Sequence, residues 1–245
     1  MTEPMRAWIF GYGSIIWKPG FEHSKTVVGH IRGYSRKFYQ GSNFHRGRPN
    51  KLGRVVTLIR EEEGSTWGQA FLAKDVEVAS NHLTQREISK GGYSHVVTLF
   101  YPRDPNEKPF HVVVFIAEPD NPLYLGSGPI SNLAHDIATS EGECGHNVEY
   151  LSKLVAFMKV ELPSVHDKHL DELEKEVKHI LSSNNSSIIQ LFTEAINEWI
   201  SFPTVRTIAE EPTSEQVKDD GIVEVAPFDF FSSVSKRKSR CVNKF

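Results

Sequence analysis

The sequence predicts an α+β fold in which a curled sheet or small barrel supports a group of helices. Strand-like segments fill the first half of the chain, and helix-like segments fill most of the second half. Strands that come first and helices that follow, without regular alternation, indicate separate β and α parts. A length of 245 residues, with 39% hydrophobic and 24% charged residues, is ordinary for one globular domain with appendages.

The first predicted strand is the apolar run Trp8-Ile9-Phe10, which ends at the loop Gly11-Tyr12-Gly13-Ser14. Segments rich in β-branched and aromatic residues predict further strands at residues 27–39, 54–59, 66–73, 93–101 and 109–117. A turn-forming stretch, residues 102–106, joins the last two of them.

The first predicted helix begins after Asp75 and continues to about Ile88. Asp75 is suited to be its N-cap, because an aspartate side chain accepts hydrogen bonds from the first free N–H groups of a helix. Apolar periodicity then predicts four helices in the second half, at residues 130–140, 147–160, 166–181 and 188–200.

The apolar periodicity typical of helices and strands ends at about Phe202, so residues 6–201 are predicted to form the folded domain. Residues 202–245 contain an acidic block, an apolar stretch at 226–231 and a basic block at 236–240. Opposite charge blocks near a terminus are typical of a solvated tail, and we expect these residues to be flexible. Docking of the apolar stretch, or phosphate binding or nuclear import by the basic block, is the alternative.

Composition and charge argue against several classes of protein. A net charge of −3 does not favour general nucleic-acid binding, which usually needs a basic face. No apolar run approaches the ~18 residues that span a bilayer, and residues 1–6 do not resemble a signal peptide. Two cysteines without a disulfide framework, Cys144 and Cys241, are typical of a reducing compartment. We expect a cytoplasmic protein without nucleic-acid or membrane partners.

Two pairs of residues have a spacing that resembles metal ligands. They are His166 with His169, and Cys144 with His146. Neither pair has an adjacent third ligand, so the sequence predicts no metal site.

The loop at residues 11–14 is a candidate binding site. Its two glycines allow a close approach that side chains would block, and successive backbone N–H groups at such a strand exit can surround a carboxylate or carbonyl oxygen. A Gly-x-Gly turn without function is the alternative. The loop is not a dinucleotide-binding motif, because Ile16 occupies the position of the third glycine.

A series of short motifs accompanies this loop. In chain order they are Gly41-Ser42-x-x-His45-Arg46-Gly47, residues 53–58, Trp67-Gly68, Arg86-Glu87, Gly91-Gly92-Tyr93, residues 120–126 and Asn147-x-Glu149-Tyr150-Leu151. From about Trp8 to Leu181 the series resembles the ChaC family of glutathione-specific γ-glutamylcyclotransferases, with Ile15 replacing a more usual leucine. The resemblance implies a compact mixed barrel with a ligand cavity at its mouth.

Glu87 is the candidate catalytic residue. Val76, Ser80, Leu83 and Glu87 share one helical stripe, so this carboxylate occupies a position where the pattern expects buried surface. Burial and the negative end of the helix dipole are expected to raise its pKa, as suits a general acid and base. The alternative is a glutamate that faces solvent or pairs with Arg86 or Lys90. The resemblance places Glu87 at the catalytic glutamate of the family.

The resemblance also implies the reaction and its substrate site. The γ-glutamyl group of glutathione would cyclise to 5-oxoproline and release cysteinylglycine, without a cofactor. The predicted substrate-binding residues are Ile9, Phe10, Gly11, Tyr12, Gly13, Ser14, Arg46, Arg54 and Tyr93. A strand-end surface charge remains the alternative for Arg54, and core packing the alternative for Tyr12 and Tyr150. Turnover of other γ-glutamyl compounds, or a binding module without catalysis, are the alternative functions.

Overall fold

The computed structural model describes residues 7–83 and 93–201. Its strands form a closed barrel in the order β1-β3-β2-β4-β5. They are β1 (Ala7–Gly11), β2 (His23–Ser42), β3 (Gly53–Ala73), β4 (Tyr93–Pro102) and β5 (Phe110–Ala117). β1 and β5 pair in parallel and the other neighbours pair antiparallel. The predicted mixed barrel is therefore confirmed.

The segments 54–59 and 66–73, predicted as two strands, are parts of the single strand β3. Residues 61–64, three glutamates followed by a glycine, form a bulge opposite Gly33, because the pairing passes from Arg32↔Ser65 to Tyr34↔Arg60. Gly33 has a φ of +80°, a conformation that glycine adopts without strain. The bulge bends the ladder without ending it, and its exposed polar residues interrupt the alternation on which the prediction rested.

Two aromatic rings in the barrel interior lie against glycines of the neighbouring strands. Phe10 and Phe100 are fully buried with their ring centroids 5.7 Å apart. A Cβ added at Gly68 would lie 2.9 Å from the Phe10 ring, and one added at Gly29 would lie 2.5 Å from the Phe100 ring. The glycines therefore provide the space that these rings occupy.

Five helices and a short hairpin surround the barrel within the described residues. The helices are α1 (Val76–Leu83), α2 (Ile130–Thr139), α3 (Asn147–Glu161), α4 (Lys168–Ser183) and α5 (Leu191–Ser201), and the hairpin consists of β6 (Glu141–Gly142) and β7 (Gly145–His146). The four later helices are confirmed with shifted ends. α4 begins after Asp167, whose side chain accepts from Leu170 N, and a 3₁₀ turn at Ser187–Gln190 precedes α5. The described helices include none that is long and apolar enough to cross a membrane.

Helix α1 confirms the Asp75 cap. The Asp75 carboxylate accepts from Glu77 N at 2.9 Å and from Val78 N at 3.1 Å. Val76 and Leu83, two members of the predicted stripe, are both buried, and Leu83 packs on the outer face of the barrel with Ile9, Phe71 and Phe115. Residues 84–92, which include Glu87, and residues 202–245 lie outside the described residues.

Candidate active site

The loop at residues 11–14 leaves the barrel where three strands have an end. β1 and β5 run parallel and finish together, and Tyr93 at the start of β4 pairs with Ala117 at the end of β5. Tyr12 connects the loop to this end, because its hydroxyl donates to Phe115 O at 2.6 Å. The chain segment that carries Glu87 enters β4 here, at Tyr93.

The two glycines of the 11–14 loop are needed for space. A Cβ added at Gly13 would lie 2.7 Å from both Tyr150 Oη and Val56 Cγ2, and one added at Gly11 would lie 2.8 Å from Ile15 Cγ2. Gly13 O accepts from Ile16 N at 2.9 Å, which starts a 3₁₀ turn that buries Ile15 and Ile16. The loop backbone is therefore pressed onto the sheet on one side and onto α3 on the other.

The first turn of α3 contacts three parts of the predicted site, which are Arg46, Arg54 and Gly13. Asn147 Oδ1 accepts from Arg54 N at 2.6 Å, and Asn147 Nδ2 donates to Arg54 O at 2.8 Å. Tyr150 Oη accepts from Val56 N at 3.4 Å and lies against Gly13. Asn147 and Glu149 were not predicted as site residues, although both belong to the motif Asn147-x-Glu149-Tyr150-Leu151. Their partners are about a hundred residues away in the chain, so local spacing does not reveal them.

Arg46 is held by Glu149 of the same helical turn. Arg46 Nη1 donates to Glu149 Oε2 at 2.6 Å and to His146 O at 3.1 Å, and only 9% of the Arg46 side chain is exposed. Burial alone would raise the pKa of Glu149, but hydrogen bonds and charges from Arg46 and Lys153 outweigh burial and lower that pKa. Glu149 is therefore ionised at neutral pH and fixes the orientation of the Arg46 guanidinium.

Arg54 is buried and paired, so its interpretation as a surface charge at a strand end is wrong. Its Nε donates to Asp136 Oδ2 at 2.7 Å and its Nη1 donates to Phe38 O at 3.3 Å. These bonds direct the side chain toward α2, where burial is compensated by the carboxylate.

The remaining predicted residues differ in how the structure places them. The Ile9 side chain is buried between the barrel and α1, and the Phe10 side chain is buried in the barrel interior. These two residues can therefore offer a ligand only their backbone groups. Tyr93 begins β4, but its side chain and the whole of Glu87 lie outside the described part. The site residues that the structure brings together are the 11–14 loop, Arg46 and Arg54, all beside the start of α3.

A cavity of about 210 Å³ opens at the same end of the barrel. It is lined by Tyr34, Leu58, Ile59, Arg60, Ile116, Ala117, Glu118, Pro119 and Tyr124. Thr57 fixes one wall, because its hydroxyl bonds both the N–H and the carbonyl of Ala117 at 3.0 Å. An apolar floor with a few charged groups is typical of small-molecule sites.

The histidines considered as metal ligands have structural partners. His169 Nε2 accepts from Phe38 N at 3.1 Å, and burial lowers the pKa of His169 to about 4. His166 lies 3.6 Å from Asp171. Within residues 7–83 and 93–201, no group of three or more His, Cys, Asp or Glu side chains is arranged to hold a metal ion.

The mixed five-stranded barrel with its helices is the fold of solved γ-glutamylcyclotransferases. A yeast γ-glutamylcyclotransferase specific to glutathione superposes with a TM-score of 0.65 at 24% identity, over 71% of this chain and 96% of the yeast chain. The profile of the ChaC-like protein family matches residues 7–180, and the chain belongs to that family.

Curated relatives agree with this assignment. A protein of Danio rerio named glutathione-specific γ-glutamylcyclotransferase 1 is 47% identical over 68% of this chain and 86% of its own length. The Homo sapiens protein of the same name is 44% identical over 69% of this chain and 77% of its own length.

Proposed function

We propose that this protein degrades glutathione by cyclising its γ-glutamyl group, with 5-oxoproline and cysteinylglycine as products. The observation that carries the proposal is the 47% identity, across most of the barrel and helices, to a protein named for that activity. The arrangement of the 11–14 loop, Arg46 and Arg54 around one helical turn supports it, because such a set offers hydrogen-bond donors to an anionic peptide.

The reaction is an intramolecular aminoacyl transfer. The α-amine of the γ-glutamyl group attacks its own γ-carbonyl carbon, a C–N bond closes a five-membered ring, and the bond to the cysteinyl nitrogen breaks. Two protons leave the ammonium nitrogen, which becomes the lactam N–H, and two are taken up by the departing cysteinyl nitrogen, which becomes an ammonium group. No water, redox partner or cofactor therefore enters the balance. Ring closures of this kind reach effective molarities on the order of 10⁵ M when the reacting atoms are correctly placed.

We assign both proton transfers to Glu87. A single carboxylate that removes the ammonium proton can return it to the cysteinyl amine, and a raised pKa near neutrality suits both steps. The γ-carbonyl oxygen acquires negative charge in between, and we assign its stabilisation to backbone N–H groups of the 11–14 loop.

The other predicted residues bind the substrate in this proposal. Arg46 attracts a substrate carboxylate, and Tyr93 supplies a hydroxyl contact. Arg54 contributes through Nη2, because its Nε and Nη1 are bonded to Asp136 and to Phe38 O. Residues 6–201 form the catalytic domain and residues 202–245 a flexible tail, in a protein that acts in the cytosol. The family match to residues 7–180 and the helical structure up to Ser201 support this division.

The test is direct. The purified full-length protein is incubated with glutathione, and 5-oxoproline and cysteinylglycine are both quantified; equal amounts of the two are expected. γ-Glutamyl-alanine is tested in parallel, and we expect a clearly lower kcat/KM for it, because binding energy from the cysteinylglycine part is lost. Comparable kcat/KM values would favour a broader γ-glutamyl specificity, and the absence of products would favour a binding module.

Glu87→Gln tests the catalytic assignment in the same assay. The amide is nearly isosteric but cannot accept the ammonium proton, so we expect a loss of at least ~10²-fold in kcat with an unchanged melting temperature. Glu77→Gln, on the exposed side of α1, is the matched control and should retain full activity. Activity of Glu87→Gln above about a tenth of the wild-type value would remove Glu87 from the mechanism.

A further inference from the structure

One nitrogen of the Arg46 guanidinium is hydrogen-bonded within the protein, and the other two are available to a ligand. Nη1 is engaged by Glu149 and by the His146 carbonyl, whereas Nε and Nη2 make no hydrogen bond to the described residues. Among the described side chains, the fully buried polar atoms that lack a partner are His30 Nδ1 and Gln40 Oε1, so Arg46 Nε and Nη2 retain contact with solvent. Nε and Nη2 form the edge of a guanidinium that matches the two oxygens of a carboxylate.

The Arg46 backbone and the 11–14 loop lie beside the same strand, at a separation along β3 that is close to the length of a tripeptide. Arg46 lies against the first residue of β3, because a Cβ at Gly53 would lie 2.0 Å from Arg46 O. Gly13 lies against Val56, three residues further along the same strand, where the corresponding distance to Val56 Cγ2 is 2.7 Å. Three residues of a β-strand span about 10 Å. Three residues of extended peptide also span roughly 10 Å.

We propose that Arg46 binds the C-terminal glycine carboxylate of glutathione through Nε and Nη2. This assignment rests on the proposed function, in which the 11–14 loop holds the γ-glutamyl end. Glu149 is a positioning residue that acts through Arg46, because it occupies Nη1 and leaves the opposite edge free. Arg54 does not offer the same edge, since its Nε is already bonded to Asp136.

The test compares glutathione with its C-terminal amide, which has the same atoms at the reacting end but no glycine carboxylate. For the wild-type protein we expect kcat/KM to fall roughly tenfold to a hundredfold with the amide, mainly through KM, as for loss of a charge-assisted hydrogen-bond pair. Equal kcat/KM values for the two tripeptides would overturn the proposal, and this comparison requires no variant.

Substitutions at Arg46 test whether this residue causes the difference in kcat/KM between glutathione and its amide. Arg46→Gln should lower kcat/KM for glutathione but hardly change it for the amide, so the discrimination between the tripeptides disappears. Arg46→Lys should retain part of the discrimination, because lysine keeps the positive charge but lacks the two parallel N–H donors of the guanidinium. Arg48→Gln, an exposed arginine in the same loop, should keep the full discrimination. An Arg46→Gln protein that still discriminates as the wild type does would contradict the assignment.

Failure of the proposed function gives a different result. If the wild-type protein forms 5-oxoproline from neither tripeptide, the cyclotransferase activity is refuted, and calorimetric titration of the same protein then tests the binding site separately. Weaker binding of the amide than of glutathione supports the Arg46 site, and equal affinities refute it.

Discussion

The 11–14 loop and the Arg46 loop (residues 43–52) both contact the first turn of α3, but they are held by different forces. At its glycines the 11–14 loop is fixed by close packing, with Gly13 pressed between Val56 and Tyr150, and at Tyr12 it is also held by hydrogen bonds to Phe115 O and from Arg36 Nη1. The Arg46 loop is fixed by charge and backbone hydrogen bonds, through the Glu149 carboxylate and the hairpin residues Glu143 and Cys144, whose N–H groups donate to Phe44 O and His45 O.

The difference has consequences for each loop. Close packing is insensitive to pH and salt but does not tolerate an added methyl group, because at Gly13 it would overlap both the buried Val56 side chain and the buried Tyr150 hydroxyl. An ion pair tolerates small changes of side-chain volume but depends on ionisation and is screened by salt. In the proposed reaction the packed loop faces the reacting atoms, where small displacements are costly, and the charged loop holds the distant carboxylate.

The largest expected effect comes from Gly13→Ala. The new Cβ would displace the loop or the Tyr150 ring, and a displacement of about 1 Å at the reacting centre costs on the order of 10²-fold in rate. We expect at least that loss in kcat for glutathione, together with a melting temperature lowered by several degrees.

Gly128→Ala is the matched control for this substitution. Its Cβ would meet Leu133 Cδ1 at 3.4 Å, an ordinary contact, so rate and stability should change little. A Gly13→Ala protein with normal kcat would show that packing does not hold the 11–14 loop in the way described here.

Glu149→Gln tests the charged loop and should have an intermediate effect. The amide keeps the shape but loses the charge, so we expect KM for glutathione to rise roughly threefold to tenfold while kcat changes less. Added salt should raise KM of the wild-type protein more than that of the variant, because screening weakens an ion pair more than a neutral hydrogen bond.

The lowered pKa of Glu149 also predicts that the stability difference between the wild type and Glu149→Gln depends on pH. Because folding lowers the pKa of Glu149 from its ordinary value of 4.5, this carboxylate stabilises the native state fully above pH 4.5. That stabilisation is lost as the pH falls through the lower folded-state pKa. Thermal melts should therefore show a difference between wild type and Glu149→Gln at neutral pH that shrinks below pH 4.5. A difference independent of pH would mean that Glu149 acts through packing alone.

The two loops also differ in how much of their structure could be predicted from the sequence. The 11–14 loop is visible locally, because an apolar strand followed by two glycines has few structural interpretations. Arg46 was predicted as a ligand-binding residue, but its orientation depends on Glu149, and a pairing across 103 positions leaves no local signal. The Asp75 cap was predicted because donor and acceptor lie within three residues of each other. The single strand β3 was missed because its bulge at 61–64 places polar residues where a strand normally alternates.

The smallest effect is expected from deleting residues 203–245, which contribute to neither of the two loops in our proposal. About a third of these residues are Glu, Asp, Lys or Arg, and outside the stretch 226–231 such a composition buries too little apolar surface to offset the entropy of ordering. We expect kcat/KM for glutathione to change by no more than a few-fold and the melting temperature to stay close to the wild-type value.

A deletion that begins at Leu191 provides the contrast, because α5 belongs to the core even though the family match ends at residue 180. Phe192 is buried, Trp199 packs on Phe157 with ring centroids 5.5 Å apart, and Trp199 Nε1 donates to Glu161 Oε1 at 3.1 Å. Removing these contacts exposes one side of α3, the helix whose first turn holds both loops. This longer deletion should therefore lower stability and activity together, whereas the deletion of 203–245 should lower neither. An inactive or insoluble protein after the shorter deletion would place the apolar stretch 226–231 in the fold.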